Sequence, residues 1–196
     1  YSRAAFNQLA ELSDSVDGTD LDNIKGLAKR HQTHIVFGVP RCEGGKYFIS
    51  LLVIGPQGVL LGHYDKLHVA QFGASMEKEF FQRGEHLVVF DINGFRIAPI
   101  ICYDFRFPEL CKTLCHDHGV HLIVHCAAFA RDETFFSWHH FAVTRAMENK
   151  CYFASINQAG DQFGNSIVCS PWVDEDRPPI TFGTEEEFKR IELHMD

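Results

Sequence analysis

Arg96-Ile97-Ala98-Pro99-Ile100-Ile101-Cys102-Tyr103-Asp104-Phe105-Arg106-Phe107-Pro108-Glu109-Leu110 is the stretch on which the reading of this chain turns. Its first half, up to Ile101, is a short apolar run of the kind that forms a buried strand. Its second half carries a helix start, with Pro108 as a first helical residue and Glu109 in the first turn. That helix is expected to run through Cys111, Leu114 and Cys115 towards Gly119. Cys102 therefore falls where a strand stops and the chain must turn sharply. A nucleophile on such an elbow stands out of the sheet, and the amide N–H after it is free to face a reacting oxygen. The ordinary alternative, a small apolar core residue, suits Cys111, Cys115, Cys126, Cys151 and Cys169.

Working outward, the pattern predicts helices over 2–12 and from Asp20 to Ala28, the first with apolar Ala5, Leu9 and Leu12. Residues 34–40 read as a strand closed by Pro40, 41–46 as a hairpin loop around Gly44-Gly45, and 47–54 as the returning strand. A further strand covers 59–64, and 69–84 is an irregular insertion with a helical piece over 75–80. Strands at 87–90 and 95–101 flank Asn93-Gly94, a strong two-residue turn signal. Beyond the Cys102 helix come a strand at 120–126, a loop at 129–136, a helix at 137–150 and a strand at 151–156. Short strands are expected at 166–169 and 190–194. The strand–helix–strand run after Ile101 implies parallel pairing, and the whole pattern is that of an α/β protein.

The formal charge of -8 over 196 residues argues against a general nucleic-acid binder, which needs a basic face to displace counterions. No apolar run approaches a membrane span, so no membrane partner is expected. Seven irregularly spaced cysteines suit free thiols in a reducing cytoplasm better than a disulfide framework. Twelve histidines raise the question of zinc, but Cys111, Cys115, His116 and His118 straddle a helix and Gly119. His121 and His125 share a strand face inside an apolar core run. No metal and no cofactor are expected.

The words from Cys102 to Glu109 resemble the nucleophile motif of the nitrilase superfamily, the carbon–nitrogen hydrolases. Tyr64-Asp65-Lys66-Leu67-His68, Thr144-Arg145-Ala146-Met147-Glu148-Asn149 and Asn157-Gln158-Ala159-Gly160 resemble further stretches of that family, in the same order. The resemblance implies a four-layer α-β-β-α sandwich over a single domain, 1–196. It implies an amidase-type hydrolase acting on a small amide through a cysteine acyl-thioester, with a nitrilase, a carbamoyl hydrolase or a catalytically silent binding protein as alternatives. A homodimer or larger assembly is implied by the resemblance alone. At Ile49 the family usually has Asn, a departure that affects local hydrogen bonding.

By the same resemblance Cys102 is the nucleophile, and Lys66 with the Tyr103 backbone N–H holds the oxyanion. Glu77 is the second glutamate, orienting the lysine, with Glu79 as the fallback. The general base is a first glutamate, which the resemblance places shortly before a Gly-Tyr. Tyr1 opens the chain without a Met inside a helical pattern, so the family's N-terminal strand–helix–strand, that glutamate included, is expected upstream. Glu11, beside Asp14, reads as a solvated helix residue. Substrate contacts are expected at Ala127, Ala128, Phe129 and Arg131, with Arg131 either meeting a substrate carboxylate or pairing with Asp132 or Glu133. Arg145 and Glu148 are spaced to pair on a helix, and Asp104 and Arg106 to pair across the elbow.

Overall fold

The computed structural model describes Ser13, residues 21–71 and residues 75–195. The helix expected over 2–12, with Glu11, lies outside the described residues. Helix α1 (Asp22–His31) has Asp22 in its first turn and Lys29, Arg30 and His31 in its last. These charges suit the two ends of the helix dipole. It packs against β2 and buries Ala28.

Strands β1 (Ile35–Glu43), β2 (Lys46–Ile54) and β3 (Leu60–Asp65) form an antiparallel sheet in the order β1-β2-β3. Gly44 and Gly45 turn the first hairpin with φ of 57° and 74°, a pair of positive values that glycine tolerates. Pro40 does not close β1 as expected. It sits inside the strand opposite Ile49, and β1 is an edge strand among the described residues, where a missing N–H is tolerated. A register shift follows at Val53/Ile54.

The larger sheet has the order β4 (Phe90–Ile92), β5 (Phe95–Ile101), β6 (Leu122–Ala127), β7 (Tyr152–Asn157), β8 (Ile167–Cys169) and β9 (Ile180–Thr181). The central strands β5, β6 and β7 are parallel, as the strand–helix–strand run implied, and the outer ones antiparallel. Between β5 and β6 run a 3-10 turn (Cys102–Arg106), helix α3 (Pro108–Lys112) and a wider π turn (Thr113–Asp117). Helix α4 (Phe135–Asn149) joins β6 to β7, and a short α2 (Glu77–Phe80) follows β3. Residues 190–194 form no strand. Instead the Tyr152 hydroxyl holds His194 through its carbonyl and N–H, while Ile180–Thr181 pairs with β8.

Alternation along β5 divides two cores. Ala98 and Ile100 face α3 and α4, packing with Leu110, Leu114, Trp138 and Phe153. Ile101 points the other way and meets Leu51 and Tyr64 of the smaller sheet. The two sheets therefore face each other across the β5 end that carries Cys102. Among the described residues no helix is long and apolar enough to cross a membrane.

Ile100 is fully buried, so Ile100→Ala is expected to lower unfolding free energy by about 2–5 kcal/mol. Phe188 is 95% exposed, and Phe188→Ala is expected to stay within about 0.5 kcal/mol. Urea denaturation of both variants checks this.

Candidate active site

At Cys102 the backbone leaves β5 with φ of 44°, a left-handed conformation that L-residues rarely adopt, and enters the 3-10 turn. Asp104, fully buried, anchors this elbow. Its Oδ2 accepts from the Ile101 N–H at 3.0 Å and from the Tyr64 hydroxyl at 2.7 Å. Its Oδ1 lies 2.9 Å from both the His68 N–H and His68 Nδ1. The expected Asp104–Arg106 pairing gives way to this set. Arg106 lies over the rings of Phe105 and Phe141. Arg145 pairs with Glu148 at 2.7 Å and also donates from Nε to the Phe105 carbonyl at 2.8 Å, so helix α4 braces the turn.

Lys66 follows β3 directly and is 1% exposed. Its N–H donates to the Ile49 carbonyl at 2.9 Å. Its own carbonyl accepts from Gly84 N–H at 2.8 Å. A Cβ at Gly84 would collide with the Asp65 carbonyl, which explains the glycine. Asp65 in turn takes a bidentate pair from Arg41 and a hydrogen bond from Ser50. With its backbone fixed on both sides, Lys66 reaches Glu77: Nζ donates to Oε1 at 2.8 Å and Oε2 at 2.6 Å. Oε2 also accepts from the Ala70 N–H. The fallback Glu79 is exposed on α2.

Cys102, Lys66, Glu77 and Tyr103 line one cavity of about 510 Å³. Ala127, Ala128 and Phe129 line it as well. Arg131 does not: its Nε donates to the Phe163 carbonyl and its Nη2 to Asn165 Oδ1, both at 3.0 Å. These partners are neither Asp132 nor Glu133. Sequence reading missed two contributors. Arg106 is part of the cavity wall. Asn157 clamps Phe129, accepting its N–H at 2.7 Å and donating to its carbonyl at 3.0 Å, a role that its place in a quoted motif hinted at.

A nearby cation and a helix N-terminus each favour a cysteine thiolate. At Cys102 burial is the stronger effect and pushes the thiol up, opposed by the Lys66 charge and by the Tyr103 N–H. Burial thus favours the protonated form of Cys102. Burial likewise pushes the core thiol Cys169 up to about 12 and Cys126, which lines the cavity instead of the core, up to about 11. Burial drives the His125 imidazole the other way, down to about 4 from an ordinary 6.5.

Because His125 in the folded chain holds a proton less tightly than in the unfolded chain, folding stability falls as pH drops from 6.5 towards 4. The expected loss is on the order of 3 kcal/mol across that window. Urea denaturation at pH 7 and pH 4.5 measures it, and His125→Phe is expected to flatten the slope.

Comparison with known proteins agrees with this geometry. The carbon-nitrogen hydrolase family model matches residues 1–174. An omega-amidase from Homo sapiens is 28% identical over 174 residues, covering 83% of this chain and 63% of its own length. The chain thus spans less than two thirds of that relative. A CN-hydrolase superfamily protein from Xanthomonas campestris, solved with an arsenic adduct in its active site, superposes with a TM-score of 0.79 at 26% identity. That match covers 96% of this chain and 71% of the other. A variant amidase from Nesterenkonia sp. AN1, with the acetamide moiety of fluoroacetamide added covalently at its active-site cysteine, gives a TM-score of 0.76 at 26% identity. It covers 91% of this chain and 67% of that one. With its matched motifs, its two facing sheets and its cysteine elbow, the chain belongs to the carbon-nitrogen hydrolase family.

Proposed function

We propose that this chain is the body of an amidase that hydrolyses the carbon–nitrogen bond of a small amide. The observation that carries the reading is the buried Lys66–Glu77 pair opening on the same cavity as Cys102. The Cys102 sulfur adds to the amide carbon while its proton passes to a base. The carbonyl oxygen becomes an oxyanion, met by the Lys66 ammonium and the Tyr103 N–H. Collapse breaks the C–N bond, the leaving nitrogen takes a proton and departs as ammonia, and the acyl group stays on sulfur. Water then attacks the thioester and frees a carboxylic acid and the thiol.

Glu77 suits the role of positioning Lys66 rather than moving protons, because hydrogen bonds from the Lys66 ammonium and the Ala70 N–H already occupy its oxygens. The base in this reading is therefore a separate carboxylate. The cavity walls of Ala127, Ala128 and Phe129 fit a small, partly apolar acyl group. The reading includes the four-layer sandwich as one domain, a reducing cytoplasmic setting for the seven free cysteines, and assembly into a homo-oligomer.

Ammonia release by the full-length protein across a panel of small amides and nitriles tests the reading. Turnover of amides is expected to vanish in Cys102→Ala and to fall roughly a hundred- to thousand-fold in Lys66→Met. Turnover persisting in Cys102→Ala would refute the nucleophile. Turnover of nitriles alone would replace the amidase by a nitrilase.

A further inference from the structure

Behind Cys102 runs a buried chain of hydrogen bonds that the proposed chemistry leaves unused. Trp138 Nε1 lies 2.8 Å from Ser155 Oγ, Ser155 Oγ lies 2.7 Å from His125 Nδ1, and His125 Nε2 lies 2.9 Å from the Cys102 carbonyl oxygen. All three side chains are fully buried. The donor roles are forced. An indole N–H only donates and a carbonyl oxygen only accepts. His125 therefore carries its proton on Nε2, Nδ1 accepts, and the Ser155 hydroxyl donates to it while accepting from Trp138. One neutral tautomer satisfies every atom.

The carbonyl at the end of this chain belongs to the Cys102–Tyr103 peptide. A planar trans peptide points its C=O and N–H in opposite directions. Anchoring the oxygen on His125, on the core side, turns the Tyr103 N–H the other way, towards the cavity that Cys102 and Tyr103 both line. The left-handed φ at Cys102 makes this orientation one the backbone would leave if the anchor were removed.

We propose that His125 is a positioning residue for the oxyanion hole: its Nε2–H, locked by Ser155 and Trp138, fixes the peptide whose Tyr103 N–H receives the developing negative charge. The proposal rests on the cysteine-hydrolase reading above. It also assigns a purpose to a histidine that looks, within its apolar strand, like core filling. Phe105 stacks on the imidazole at 4.9 Å and 12°, so His125→Phe keeps a ring in that stack while removing the donor.

The test is alkylation of Cys102 by iodoacetamide as a function of pH in the full-length protein, read by peptide mass spectrometry, with thermal melts to confirm folding. His125→Phe is expected to move the alkylation midpoint to higher pH and to slow the reaction on the order of tenfold at neutral pH. On an amide it is expected to lower kcat with little change in KM. His125→Gln, whose amide N–H reaches about as far as Nε2–H, is expected to recover reactivity relative to His125→Phe. Ser155→Ala, a milder change that serves if His125→Phe does not fold, shifts the profile the same way by less. Folded variants that alkylate like the wild type overturn the proposal. An intact contrast in a protein that releases ammonia from no amide upholds the positioning role and overturns the amidase reading alone.

Discussion

The Asp104 carboxylate joins two segments that arrive from different sheets. From the smaller sheet come the Tyr64 hydroxyl and the backbone N–H and Nδ1 of His68, on either side of Lys66; from the larger comes the Ile101 N–H, immediately before Cys102. A fully buried carboxylate is tolerated only when its oxygens are well satisfied, and here four donors converge on it. The consequence is geometric. The lysine and the cysteine, 36 positions apart in the chain, are held to one hub by hydrogen bonds no longer than 3.0 Å.

Around that hub, among the described residues, three buried charges each meet a partner of opposite sign. Arg41 neutralises Asp65, Glu77 neutralises Lys66 and Glu148 offsets Arg145. Such pairs add little net stability, but removing one partner strands the other in a poor solvent for ions. The return is a lysine ammonium fixed beside a thiol before substrate enters. Preorganisation of that kind is what makes an oxyanion site effective, since donors need not move as charge develops.

Much of this was legible in the sequence because local patterns decided it. The apolar run ending at Ile101, Pro108 after the turn and the Asn93-Gly94 hairpin each carry their structure in a few residues. The family resemblance brought Lys66 and Glu77 to Cys102, which periodicity could not do. Where contacts between distant residues decide, the reading failed. Arg131 looked to Asp132 or Glu133, its near neighbours, yet its partners are Phe163 and Asn165 on a separate loop. Pro40 reads as a stop unless its strand is known to be an edge. The surroundings that raise the Cys102 thiol against the pull of Lys66 are likewise not written locally. His125 was hidden for the same reason, since its partners lie on the elbow and on β7.

The central claim is that the acyl group of an amide passes through the sulfur of Cys102. Acid-quenching the full-length protein during turnover of a small amide, followed by peptide mass spectrometry, tests it directly. The account predicts a mass increase equal to the acyl group on the peptide that carries Cys102, labile to hydroxylamine as a thioester is. An acyl adduct on any other residue, or steady turnover with Cys102 unmodified at every time point, would contradict it.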